Sequence, residues 1–168
     1  MSKYVRKLAE ELERDGRFGE ERSYVQHCET TVYQHSINVA ELSLKIAKKL
    51  NLRVNKRALV RAALLHDYFL YDWHVYDPSR AFHPNNHPRV ALKNASEDYK
   101  LSCIEQDAIL SHMFPASLKI PYYRESWIIT VADKCCAAKE SIAPRVKNAS
   151  VKSYPVQDLI FRFLNKAI

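Results

Sequence analysis

The stretch KRALVRAALLHD, residues 56–67, decides the fold class. It has the spacing of an α-helix, and its second half is apolar almost all round, which is typical of a helix at the centre of a fold. Asn55, immediately before it, is a good N-cap. The stretch ends on His66 and Asp67, so it predicts an imidazole and a carboxylate side by side at the end of a buried helix.

The rest of the chain shows helical spacing on both sides of this stretch. Only two glycines occur, Gly16 and Gly19, which disfavours folds with many strands and tight turns. The patterns predict an all-α fold with Pro88 in the first turn of one helix, Ser102 capping another and Pro144 stopping a third. Besides 56–67, the predicted helices are 2–15, a short one at 20–28, 30–50, 89–96, 103–111, 124–142 and 156–167. The aromatic stretch 68–86 reads as a long functional loop.

Length and composition place the chain among single-domain proteins of the cytoplasm. Its 168 residues suit one domain, and the four cysteines contain neither a CxxC motif nor a disulfide framework. No run approaches the ~18 apolar residues of a bilayer span, so we expect no membrane partner. The net charge of +7 is spread along the chain, which is typical of a solvated surface or of a field that attracts anionic substrates such as nucleotides or nucleic acid. The candidate histidine and carboxylate ligands described below favour small phosphates over duplex DNA.

Two acidic residues in apolar helices require an explanation. Asp67 ends the apolar helix, and Asp133 lies in the run SWIITVADKCC, residues 126–136. A buried, unpaired carboxylate costs several kcal/mol unless a metal or a cation neutralises it. His35 lies on the apolar face of the helix predicted at 30–50, so one cation bound by His35, His66, Asp67 and Asp133 would neutralise both acids. Taken alone, each of these histidines is more typical of a satisfied core residue.

Three motifs together resemble a known family. QHSINVA around His35, LLHD at His66 and Asp67, and VADK at Asp133 are similar to the ordered H…HD…D signature of the HD superfamily of metal-dependent phosphohydrolases. The resemblance implies a compact helical bundle, a single HD domain over residues 1–168 with its core at about 30–142. The helices at 2–15 and 156–167 would cover that core.

Two further histidines extend the resemblance to the binuclear branch of the superfamily. There, two histidines lie between the HD pair and the last aspartate, and the HD aspartate bridges two metals. His87 in NHPRVALKNA and His112 in LSHMFP fall in that interval, at a predicted helix start and helix end, and become the candidate ligands of a second metal. His74 or His83 could replace His87, whereas His27 has no expected catalytic role.

The resemblance implies a water molecule activated by divalent metals, with nucleotides or dinucleotides as substrates. The imidazole and carboxylate set suits Fe, Mn or another transition metal, with Mg also accepted. Asp67 and Lys134 are the first catalytic candidates, and Asp72 is a candidate proton shuttle. Arg89, Arg124 and Asn38 are candidates for substrate binding. Small dinucleoside-tetraphosphate hydrolases of the superfamily have similar ligands, and the aromatic residues after Asp67 could stack on a base.

Two other functions are also compatible with the sequence. Some HD proteins with nearly the same ligands hold a di-iron centre and act as oxygenases, which oxygen consumption by an iron-loaded sample would reveal. A non-catalytic binder of nucleotides or nucleic acid would keep its ligand affinity after metal removal. The oligomeric state has no signal in the sequence.

Overall fold

The computed structural model of the protein describes residues 1–27, 30–72 and 83–147, and it confirms the all-α fold. The described elements in chain order are α1 (Lys3–Asp15), a 3-10 helix (Phe18–Ser23), β1 (Val25–His27), β2 (Thr30–Thr31), α2 (Val32–Lys49), α3 (Lys56–Leu65), α4 (His83–Asp98), α5 (Cys103–Ser111) and α6 (Arg124–Lys147).

Helix α3 is the centre of the fold, as its sequence predicts. It packs against α1, α2, α5 and α6, and its residues Leu59, Val60, Leu64 and Leu65 have no exposed surface. A helix surrounded in this way delivers whatever follows its last residue into the interior. His66 and Asp67 follow it directly, and both are buried.

The predicted caps of α3 and α5 are confirmed. The Asn55 side chain accepts a hydrogen bond from the backbone N–H of Ala58 at 3.1 Å. Ser102 and Glu105 form a reciprocal capping box at the start of α5, where each side chain pairs with the backbone of the other. These caps fix the starting points of two helices whose far ends carry candidate site residues.

The short helix predicted at residues 20–28 is wrong. A 3-10 helix covers Phe18–Ser23, and the chain then forms a small antiparallel ladder in which Val25 pairs with Thr31 and His27 with Thr30. β-Branched residues favour extended backbone, which explains the preference of Val25, Thr30 and Thr31 for strands. The ladder ends where α2 begins.

Two predictions based on proline are also wrong. Helix α4 begins at His83, five residues before Pro88, and α6 passes Pro144 and ends at Lys147. Pro84, not Pro88, occupies the first turn of α4, where proline costs little because the N–H it lacks has no helical partner. His87 therefore lies one turn inside α4. Pro144 removes one backbone donor near the end of α6 and does not stop the helix.

Several predictions lie outside the described residues, among them the helix at 156–167 and residues 73–82 of the aromatic stretch. Within the described ranges, every helix is too short or too polar to cross a bilayer.

Candidate metal centre

Five helices bring the six predicted ligands into one buried cluster. His35 comes from α2, His66 and Asp67 from the end of α3, and His87 from α4. The remaining two are His112 at the end of α5 and Asp133 on α6, and all six side chains are buried.

The first half of the cluster consists of His35, His66 and Asp133. The Nε2 atom of His35 lies 3.1 Å from Oδ1 of Asp133, and Nε2 of His66 lies 3.7 Å from the same oxygen. One nitrogen or oxygen atom from each residue lies within 4.8 Å of the others, which is close enough for a single ion to contact all three. We call this set the first triad.

The second half consists of Asp67, His87 and His112, which we call the second triad. Oδ1 of Asp67 lies 3.2 Å from Nε2 of His87 and 3.3 Å from Nε2 of His112. The two imidazole nitrogens are 2.9 Å apart. These three ligand atoms also satisfy the 4.8 Å limit.

Asp67 joins the two triads through its two carboxylate oxygens. While Oδ1 faces His87 and His112, Oδ2 lies 3.4 Å from Nε2 of His66 and 3.9 Å from Nε2 of His35. The carboxylate is therefore shared between two sets of imidazoles. Each of its two oxygens thus faces a different set of possible metal ligands.

Helix ends orient two of the imidazoles. Nδ1 of His66 donates to the carbonyl of Ala63 at 2.8 Å, and Nδ1 of His112 donates to the carbonyl of Ile109 at 2.7 Å. Because a carbonyl only accepts, the hydrogen lies on Nδ1, and Nε2 is the nitrogen that faces the cluster. This is the tautomer that a metal-binding histidine needs.

Charge in the cluster follows from close contacts between acids and imidazoles. Burial opposes a charged His35, but hydrogen bonds to Asp133 and to Glu140 outweigh it and raise the pKa of His35 to about 10. Burial also opposes ionisation of Asp67, yet His66, His112 and His87 hold the pKa of that carboxyl well below its usual range. Without a metal, these contacts therefore favour a protonated imidazole at His35 and an ionised carboxylate at Asp67.

Lys134 and Asn38 lie next to the cluster. The Lys134 ammonium donates to the carbonyl of His112 at 2.8 Å and lies 3.8 Å from Oδ2 of Asp133. The Asn38 amide donates to Glu140 at 2.9 Å, and Glu140 in turn contacts His35. Lys134 thus lies between the backbone of His112 and the carboxylate of Asp133, and Asn38 contacts the first triad through Glu140.

The structure does not bring Arg124 to the cluster. Its guanidinium donates to the carbonyl of Arg53 at 2.7 Å, and nine helical residues separate it from Asp133, which is roughly 13 Å along α6. Arg89 is exposed on α4, two residues past His87, and Asp72 is exposed five residues after Asp67. The side chains of His27, His74 and His83 lie outside the described part of the structure.

Sequence reasoning missed three residues around the cluster. Glu140 accepts a hydrogen bond from His35, and the Gln26 amide donates to Oδ2 of Asp67 at 2.5 Å. Glu21 is fully buried, and burial together with the negative charge of Asp67 raises its pKa well above the usual range. Glu140 follows Asp133 by two helical turns, so its spacing carried a signal. Glu21 lies in the short 3-10 helix and Gln26 in the short strand β1, and neither element is long enough to show a periodic pattern.

A comparison with protein-family models identifies the family of this chain. The HD domain model matches residues 32–138. The chain belongs to the HD domain family. Proteins of this family are generally metal-dependent hydrolases. All six clustered ligands lie inside the matched region of the HD domain, and Gln26 and Glu140 lie outside it. Neither the curated proteins nor the solved structures gave a match.

Proposed function

We propose that this HD domain is a phosphohydrolase that binds two divalent cations and cleaves a phosphate ester or anhydride of a nucleotide or dinucleotide. One observation carries the proposal: the carboxylate of Asp67 lies between two sets of buried imidazoles, with Oδ2 facing those of the first triad and Oδ1 those of the second. Paired metal sites with a shared ligand suit phosphoryl chemistry, in which charge develops on both the attacking and the leaving oxygen.

The residues fit such cations by the chemistry of their donors. Nε2 of His66 and Oδ1 of Asp67 are buried and have no hydrogen-bond partner among the described residues. A buried polar atom without a partner is costly, and a metal ion would satisfy both. Each triad offers two imidazoles and one carboxylate, a set that suits Fe, Mn, Zn or a similar metal.

When bound, divalent cations activate water and neutralise charge on phosphate oxygens. His35, His66 and Asp133 would hold one cation, His87 and His112 the other, and Asp67 both. Lys134 adds a positive charge beside Asp133, where its side chain is 41% exposed, and it is proposed to bind a phosphate oxygen of the substrate. Asp72 stays a proposed proton carrier.

A nucleotide is the proposed substrate because aromatic rings line one side of the second triad. The ring of Phe69 packs edge-on against His87, with 5.9 Å between centroids, and Tyr71 packs on Phe69 at 5.0 Å. Phe69 itself is buried, so the partly exposed ring of Tyr71 is the one proposed to stack on a base. Arg89, exposed on the helix that carries His87, adds a cation on the same element for a further phosphate group.

The test is a screen of phosphorylated metabolites with metal-reconstituted protein. We expect release of inorganic phosphate or of a nucleoside phosphate, and we expect nucleotides to be cleaved faster than sugar phosphates. Oxygen consumption by an iron-loaded sample, without hydrolysis of any phosphorylated compound, would overturn the proposal in favour of an oxygenase.

The metal count gives a second test. We expect His66→Ala to lose the cation of the first triad and His87→Ala to lose that of the second, because each removes one imidazole ligand of its own triad and none of the other. Elemental analysis after reconstitution and desalting should give about two metal ions per chain for the wild type and about one for each variant. Full metal content in both variants would contradict the assignment of the triads.

A further inference from the structure

His35 contacts a carboxylate that is not one of the six predicted ligands. Nδ1 of His35 hydrogen-bonds to Oε2 of Glu140 at 2.8 Å. The corresponding Nδ1 atoms of His66 and His112 face backbone carbonyls instead. Glu140 lies on α6, seven residues after Asp133 and therefore on the same face of that helix.

Glu140 is itself held in place by α2. Its other oxygen, Oε1, accepts a hydrogen bond from the side-chain Nδ2 of Asn38 at 2.9 Å. The side-chain Oδ1 of Asn38 in turn accepts one from Nε2 of Gln34, also at 2.9 Å. The Glu140 side chain is only 9% exposed. The carboxylate is therefore fixed between α2 and α6, and water does not screen its contact with His35.

We propose that Glu140 is a positioning residue that sets the affinity of the first triad for its cation. An ionised carboxylate only accepts hydrogen bonds, so it keeps the hydrogen of His35 on Nδ1 and directs the lone pair of Nε2 toward Asp133 and His66. Its negative charge also makes the imidazole a stronger electron donor to a metal. This inference rests on the proposed function, and it assigns a role to a residue outside the part of the chain that matches the HD domain model.

The contact between His35 on α2 and Asp133 on α6 is also fixed by Glu140. His35 hydrogen-bonds to Glu140 on one side and to Asp133 on the other, at 2.8 Å and 3.1 Å. Both acids belong to α6, so the ring of His35 is held between two points of one helix. Asn38, predicted from the sequence to bind substrate, here supports this arrangement through Glu140.

The experiment measures Mn²⁺ and Zn²⁺ affinity of the folded protein by competition with a chromophoric chelator. Glu140→Gln keeps an oxygen acceptor but removes the charge, and Glu140→Ala removes both. We expect the dissociation constant of one of the two cations to rise about tenfold in Glu140→Gln and toward a hundredfold in Glu140→Ala. The other cation should bind with nearly unchanged affinity. Glu10→Gln, an exposed acid on α1, is the control for loss of charge.

The outcomes separate this inference from the proposed function. Wild-type protein that binds no metal would overturn both. If the wild type binds two cations and the Glu140 variants bind both with the same affinity as the wild type, the role of Glu140 is overturned and the proposed function is not. A purely structural role would lower the melting temperature of the variants without changing metal affinity at a temperature where they are folded, and that result would also overturn it.

Discussion

Replacement of Asp67 by alanine is expected to remove both cations and to lower the rate of phosphate release at least about a thousandfold. Asp67 belongs to the second triad, but its carboxylate faces both, since Oδ1 faces His87 and His112 while Oδ2 faces His66 and His35. Its loss leaves the imidazoles of both triads without the anion between them. Elemental analysis and the rate on the best substrate of the screen measure the two effects.

Two further variants make this result specific. Asp67→Asn keeps the shape of the side chain but removes the charge, so a folded Asp67→Asn protein without metal shows that the charge, and not the packing, is required. Asp15→Ala removes an exposed acid at the end of α1 and should retain both metal content and rate. An Asp67→Ala protein that keeps wild-type metal content and rate would refute the phosphohydrolase proposal.

The sequence was sufficient for the parts of the fold that follow helical periodicity. Helix α3 was predictable because its apolar residues surround the axis, and its cap Asn55 marked where it begins. The spacing of apolar residues likewise located α2 and α6. These elements carry His35, His66, Asp67 and Asp133, so their places on buried helix faces or ends followed from local pattern and burial.

The remaining elements depend on contacts that are distant in the chain. Gln26 reaches Asp67 across 41 residues from a strand too short to show alternation, and Glu140 meets His35 across 105 residues. Proline was a misleading signal, because a single missing donor does not outweigh the packing of a helix such as α4, where Ala91 and Ala95 are fully buried. Local propensity therefore found the helices but not the residues that support the ligands.

Arg124 shows the same limit for charged residues. Its position at the start of α6 suggested a role toward the substrate, yet that end of the helix lies beside the loop before α3, where Arg124 contacts the carbonyl of Arg53. The cluster forms two and a half turns further along the same helix. Position in a motif thus predicted a role for Asp133, which lies in the cluster, and said little about cations elsewhere on its helix.

The metal-free protein is expected to become less stable as pH rises from 7 to 8.5. Hydrogen bonds to Asp133 and Glu140 overcome the effect of burial and raise the pKa of His35 to about 10, against 6.5 for an ordinary histidine. The native state therefore binds a proton that the unfolded state has released, and the free energy of unfolding falls by up to about 1.4 kcal/mol per pH unit in this window. His66 adds a change of the same sign, because its pKa is also raised.

Urea unfolding of chelator-treated protein at pH 7, 7.75 and 8.5 measures this slope. Most of the window lies above the range in which His112 contributes, since burial lowers the pKa of His112. Burial raises the pKa of Cys136 to about 12, so this thiol, which titrates at about 8.5 in the unfolded chain, adds a loss of stability of the same sign only near the upper end of the window. His35→Gln should show a clearly smaller slope. A bound cation needs the same Nε2 lone pair as the proton, so stabilisation by added metal should grow as pH rises. A wild-type stability that is flat over this window, with or without metal, would show that the carboxylates around His35 do not hold a proton that a metal must displace.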